Sequence, residues 1–196
     1  MSNVPAGRYP PVGSLEDCPE DIREVILAVQ EKSGFVPNVF LMLARRPAEF
    51  RAFFAYHDAL MLRDGGLTKA EREMIVVATS AANHCLYCVV AHGAILRIYR
   101  KDALIADHLA TNWRKASLSD RERAMLEFAL KVATDSHALS DQDHHALTEH
   151  GFSEEDIWDI GAITAFFAMS NRLANFSGMM PNPEFHLLGR IPRPPR

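Results

Sequence analysis

At 196 residues, with 48% hydrophobic and 23% charged side chains, the chain has the composition of a soluble globular protein long enough to bury its core as one domain, 1–196. A formal net charge of −4 gives no electrostatic footprint for nucleic acid, and the one basic run, Arg190 to Arg196, is short, Pro-rich and reads as a solvated tail. No apolar run approaches the ~20 residues a membrane helix needs, and the first residues lack the regions of a signal peptide, so the expected compartment is the cytoplasm.

Residues 1–18 carry Pro5, Gly7, Pro10, Pro11 and Gly13 and read as an extended arm in which Cys18 is incidental. Asp21 to Lys32 has helical spacing, with Ile22, Val25, Ile26 and Val29 on one face and Ser33-Gly34 as its stop. A turn over Gly34 to Asn38 leads to a short apolar helix, Val39 to Ala44. Pro47 suits the first turn of the next helix, which runs to about Leu62 with Phe50, Phe53, Phe54, His57 and Met61 near one stripe; His57 reads as a packed or boundary histidine.

Thr68 and Glu71 form a capping box that opens a helix to about Ala82, through the apolar block Met74 to Ala78. Asn83 and His84 interrupt it. The helix that follows continues to about Tyr99, and another runs from Asp102 to Trp113. Ser119 with Glu122 caps a helix to about Thr134, and Ser140 with Asp143 caps a short polar one ended by Gly151, with His144, His145 and His150 on its solvated face. Ser153 to about Ser177 is long and largely apolar; Asn171, Arg172 and Asn175 break that face and suggest a polar contact or an interface. Pro181 to Arg196 reads as an irregular tail. No segment alternates with period two between turn signals, so the fold class is all-α. Leu67 to Glu73 is echoed by Leu118 to Ala124, each opening a helix, but Ala124 replaces Glu73 and no Cys-x-x-Cys follows.

The informative stretch is Ala82 to Arg97, which holds Cys85, Cys88 and His92. On a helix the three fall within an arc of roughly 60°. Three cysteines in all do not suggest a disulfide framework, and a Cys-x-x-Cys pair in a reducing compartment is catalytic or metal-binding more often than structural. If the helices on either side of Asn83 fold back on each other, Glu73 stands as far before the turn as His92 stands after it, and the two face each other. A Glu–His–Cys line has a use. The carboxylate fixes the imidazole tautomer, the imidazole takes a proton from Cys88 one turn earlier, and Cys85 can close a disulfide with it. The positive helix end favours the thiolate on Cys85, whereas the nearby base favours Cys88; the residues alone leave both open. A zinc site built from Cys85, Cys88 and His92, with Glu73, His84 or Cys18 as fourth ligand, is the rival arrangement.

Glu73, eleven residues, Cys85-x-x-Cys88, three residues and His92 make a pattern that resembles the alkylhydroperoxidase D / carboxymuconolactone decarboxylase superfamily, within a core of about residues 45–110. The Gly34 to Asn38 turn and the Asn171 to Asn175 segment resemble its larger peroxidase-related members. The resemblance implies an all-helical bundle around a helical hairpin, a homo-oligomer (dimer, trimer or hexamer), and thiol-dependent reduction of hydroperoxides with no cofactor and no metal. It also implies that Cys88 is the peroxidatic sulfur and Cys85 the resolving one, with His92 and Glu73 as proton relay and an external dithiol donor, a lipoyl or thioredoxin-like protein. Tyr87 stands where alkylhydroperoxidase D has a histidine; at about 200° from Cys85 it points away from the stripe, leaving the relay while putting the donor in question. Lactone decarboxylation works without this thiol pair, so the cysteines argue against it. The alternatives are a protein dithiol–disulfide oxidoreductase and a non-enzymatic redox-sensing or zinc-binding module.

Overall fold

A computed structural model describes residues 7–190, and the parts of the expected arm and tail at 1–6 and 191–196 lie outside them. The described residues form helices and turns with no strand. The helices are α1 (Glu20–Ser33), α2 (Asn38–Ala44), α3 (Pro47–Met61), α4 (Lys69–Ala82), α5 (Leu86–Arg100), α6 (Ile105–Asn112), α7 (Asp120–Asp135), α8 (Asp141–Glu149) and α9 (Glu154–Ser177).

The bundle is organised around α4. Its block Met74-Ile-Val-Val77 is apolar on every side, so the helix satisfies itself only by being enclosed, and all four residues are fully buried. Each such side chain contributes about 2 kcal/mol of burial, which outweighs the few tenths that β-branched residues lose in a helix. α5, α6, α7 and α9 pack around it. The capping box that opens α4 is complete: the Thr68 N–H donates to Glu71 Oε2 at 2.8 Å and the Glu71 N–H to Thr68 Oγ1 at 3.1 Å. Ser119–Glu122, Ser140–Asp143 and Ser153–Asp156 cap α7, α8 and α9 in the same way.

Two features fix the entry to α4 and thereby the position of Glu73. Arg72 is buried, donating to the Leu60 carbonyl and pairing with Asp159 of α9 at 3.4 Å; Arg63 pairs with the same carboxylate at 3.0 Å. Gly66 lies so close to the Asp156 carboxylate that a Cβ there would collide with it, so glycine lets the α3–α4 loop sit on the start of α9.

Two expected boundaries shift for local reasons. The helix expected from Asp102 starts at Ile105, because Lys101 takes a left-handed conformation (φ 55°) and Asp102 Oδ1 accepts the Leu104 N–H at 2.8 Å. It ends at Asn112, with Trp113–Lys115 forming a 3-10 turn. The segment expected as an irregular tail forms a 3-10 turn, Pro183–His186, and is docked as far as it is described. Phe185 is buried, buried Arg97 donates to the carbonyls of Phe185 (2.7 Å) and Leu188 (2.9 Å), and Arg190 pairs with Asp107 at 2.7 Å. At the other end, Cys18 packs with Ile22, Ile26, Ala44 and Phe50 in a small cluster of its own.

Candidate active site

α4 and α5 form a hairpin across Asn83, His84 and Cys85. Asn83 closes α4 and His84 adopts a left-handed backbone (φ 52°), a region open mainly to Asn, Asp, His and Gly. The Cys85 N–H still reaches the Ser80 carbonyl at 2.9 Å. Cys85 is then the N-cap of α5: its sulfur accepts the Cys88 N–H at 3.4 Å, the place usually filled by a serine or aspartate oxygen.

On the hairpin, His92 Nδ1 lies 2.7 Å from Glu73 Oε2. A carboxylate only accepts, so Nδ1 carries a proton toward Glu73. The ring edges onto Phe167 of α9 at 4.7 Å between centroids. Cys85 and Cys88 are both buried, 1% exposed, in a second apolar cluster with Phe35, Met42, Ala91, Met179 and Phe185.

The two thiols are electrostatically unequal. Cys85 is lowered to about 7, chiefly because the Cys88 thiol donates to it; the Cys88 N–H, Asn171 and the charge of His92 add to this against the cost of burial. Cys88 is pushed the other way, above the ordinary thiol range, by the same partnership with Cys85 and by burial, with Ser170 and Asn171 opposing. Cys85 is therefore the more acidic of the two sulfurs.

Three residues of α9 and α3 complete the surroundings. Asn171, fully buried, donates to Ser80 Oγ at 2.9 Å and accepts from Asn83 Nδ2 at 3.0 Å, tying the hairpin turn to α9. Ser170 Oγ lies 3.9 Å from the Cys88 sulfur. His57, partly buried on α3, has Nδ1 2.9 Å from Asp58 and packs near Phe167 at 6.4 Å, within electrostatic reach of Glu73 and His92; burial pushes its imidazole below the ordinary value. Sequence reading left Asn171 in a polar contact or an interface without naming a partner and took His57 as a packed or boundary histidine. Of the other residues of the Asn171 to Asn175 segment, Arg172 is exposed and Asn175 donates to the Asn83 carbonyl at 3.3 Å.

A solved structure from Ralstonia eutropha JMP134, described as a peroxidase-related protein with an alkylhydroperoxidase AhpD core, is 67% identical to this chain with a TM-score of 0.95. The match covers 97% of this chain and 100% of the other. The chain belongs to the alkylhydroperoxidase D-like / carboxymuconolactone decarboxylase superfamily.

The model of the carboxymuconolactone decarboxylase family matches residues 47–103 of this alkylhydroperoxidase D-like chain, from the start of α3 through the end of α5. A peroxidase-related protein from Silicibacter sp. TM1040 is 38% identical at a TM-score of 0.90, covering 97% of this chain and 99% of that one. The debrominase Bmp8 shares the fold, at 20% identity, a TM-score of 0.72 and coverage of 91% and 94%. No curated protein matches by sequence.

Tyr87, the departure from the alkylhydroperoxidase D pattern, is buried with its hydroxyl accepting the Val39 N–H at 3.2 Å at the start of α2; burial raises its phenol. Tyr87 thus anchors the Cys85–Cys88 turn to α2. The repeated cap is also resolved: α7 packs on α4, but Ala124 lines a groove between α7 and α8 with Lys131 and Asp143, while Glu73 meets His92. Among the described residues no three His, Cys, Asp or Glu side chains gather where a metal could be held, and Cys18 belongs to another cluster than Cys85 and Cys88.

Proposed function

We propose that the chain is a thiol-dependent peroxidase in which Cys88 reduces a hydroperoxide, Cys85 resolves it, and Glu73 and His92 manage the proton. The observation that carries this reading is the 2.7 Å Glu73–His92 hydrogen bond on the same hairpin as two buried cysteines, the first of which accepts the Cys88 N–H at 3.4 Å. The Cys88 thiol donates to the Cys85 thiolate at rest, so one proton shift along that contact puts the charge on Cys88 when peroxide arrives. Cys88 then attacks the terminal peroxide oxygen. The S–O bond forms, the O–O bond breaks, and the leaving alkoxide takes the proton that Cys85 had received, giving the alcohol and returning Cys85 to the thiolate. Cys85, again a thiolate, attacks the sulfenic sulfur; the disulfide forms and hydroxide leaves, protonated to water through His92, whose Nε2 side is free to exchange protons. An external dithiol of the lipoyl or thioredoxin type returns the two electrons.

The reading places the protein in the cytoplasm, where thiols stay reduced. Among the described residues no helix is long and apolar enough to cross a membrane. Dimedone trapping after one equivalent of an alkyl hydroperoxide tests the assignment of the attacking sulfur. The Cys85→Ser variant should carry the sulfenic adduct on Cys88, and Cys88→Ser should carry none on Cys85. An adduct on Cys85 in Cys88→Ser at wild-type rate reverses the two roles.

A further inference from the structure

Cys85 and Cys88 are sealed from solvent, and part of their enclosure comes from outside the α4–α5 hairpin. Phe35 before α2, Met42 on α2, and Met179 and Phe185 after α9 all belong to the apolar cluster around them. Of these pieces α2 is the least able to hold itself. It has seven residues, its N-cap is Pro37, and no side chain at that cap bonds its first turn; a helix this short has no stability in isolation. Its first two N–H groups are taken by residues distant in the chain. Asn182 Oδ1 accepts from the Asn38 N–H at 2.8 Å, and the Tyr87 hydroxyl accepts from the Val39 N–H at 3.2 Å. The Asn182 side chain also donates to the Val36 carbonyl at 2.9 Å, and Asn38 Nδ2 returns a bond to the Met180 carbonyl at 2.8 Å. Beside them Phe35 meets Phe185 edge to face, with ring centroids 5.0 Å apart.

We propose that α2 is a lid over the Cys85–Cys88 pair, latched to the tail by Asn182 and to α5 by Tyr87, and that reagents reach the sulfurs when it lifts. The pieces around it are fixed more firmly. The tail leaves α9 at Gly178, where the Met179 N–H bonds the Ala174 carbonyl at 3.0 Å. Its far end is held by Arg97 and by the close approach of Gly189, where an added Cβ would stand 2.7 Å from Arg97 Cβ. α5 packs on α4, α6 and α9, whereas α2 packs chiefly on α3. The arm adds two ties to α2: Gly7 lies against the end of Met42, and the Val12 N–H bonds the Leu41 carbonyl at 3.3 Å. Lifting α2 breaks the Asn182 and Tyr87 bonds and withdraws Met42, while the Glu73–His92 pair and the caps of α4 and α5 stay in place. A segment tied by so few bonds opens locally at a fraction of the cost of unfolding the chain. One latch, Tyr87, stands between the two cysteines, so the lid is tied to the turn whose sulfurs change bonding. The proposal concerns access, and it holds whichever electrophile the pair meets.

The test uses alkylation and no peroxide, so its failure and that of the peroxidase reading are distinct. In a Cys18→Ser background near neutral pH, a fluorescein maleimide should label the Cys85–Cys88 pair at a rate set by lid opening. The Asn182 side chain bonds only Val36 and Asn38, and Asn182→Ala, which removes both bonds, should raise that rate about tenfold with the helical circular dichroism retained. Hydrogen exchange of the Met42 and Leu43 amides, inside α2, should quicken by the same factor. Tyr87→Phe releases the other latch and should raise both rates about fivefold. Lys131→Ala, which breaks the pair with Asp143 between α7 and α8, should change neither. A labelling rate unchanged in both latch variants overturns the proposal, as does quickened exchange of α2 without quickened labelling. Equal acceleration in Lys131→Ala overturns it too, because the opening would then be global.

Discussion

Replacing Cys88 by alanine removes the largest influence on Cys85, the hydrogen donated by the neighbouring thiol. In the intact pair Cys85 is lowered from 9.0 to about 7, so near neutral pH about half of it is thiolate instead of about 1%. A hydrogen bond to a charged group is worth roughly 1.5 to 3 kcal/mol. At about 1.4 kcal/mol per pH unit, losing it should move the midpoint of Cys85 upward by about one to two units. The Cys88 backbone N–H at 3.4 Å and the Asn171 side chain remain, so the shift stops short of a free thiol in an apolar site. The assay is the rate of alkylation by iodoacetamide against pH in a Cys18→Ser background; Cys18 itself is raised by burial and contributes little near neutrality. Cys88→Ser, which keeps a hydroxyl donor, should hold the midpoint closer to that of the wild type. A Cys88→Ala midpoint that stays near 7 would refute the idea that the two sulfurs share a proton.

Asn171→Leu should leave Ser80 Oγ and the Asn83 amide without partners, costing about 1 to 3 kcal/mol in urea denaturation. It should also raise the Cys85 midpoint, since Asn171 is one of the groups that lower it. His57 is held neutral by burial, so its folded value lies below the ordinary 6.5. The stability this neutral form contributes is present above about pH 6.5 and is lost as the pH falls toward and through the lower folded value. Thermal unfolding between about pH 7 and pH 5 should therefore fall more steeply for the wild type than for His57→Phe; equal slopes would show that His57 is not the titrating group.

The sequence carried several helices well because their starts are marked by side chains that satisfy the exposed donors. Thr68, Ser119, Ser140 and Ser153, each with an acid three residues on, mark four helix starts and all form capping boxes. The approach of Glu73 to His92 was legible for a similar reason: a short turn makes the hairpin antiparallel, and equal distance from the turn makes two residues neighbours. Contacts between elements distant in the chain were not legible. Nothing in the run Ser170-Asn171 says that it meets Ser80, Asn83 and the two thiols, since that depends on how α9 lies across the hairpin. His57 has the spacing of a packing residue, and only the fold brings it near the relay. The docked tail was hidden because nothing in its own residues points to its anchor, Arg97 of α5, whose buried guanidinium donates to the carbonyls of Phe185 and Leu188. The distribution of charge between Cys85 and Cys88 required the N-cap geometry, which places the first sulfur where donors converge.

The central claim is that the Cys85–Cys88 pair turns over hydroperoxide at the expense of a dithiol. Consumption of an alkyl hydroperoxide by the full chain, with a reduced lipoyl protein and separately with a thioredoxin-like protein as donor, measures it directly. The account predicts steady turnover with at least one donor, its loss in Cys88→Ser, and a marked slowing in Glu73→Gln with the fold unchanged. Absence of peroxide-dependent turnover with either dithiol, or full turnover in Cys88→Ser, would contradict it.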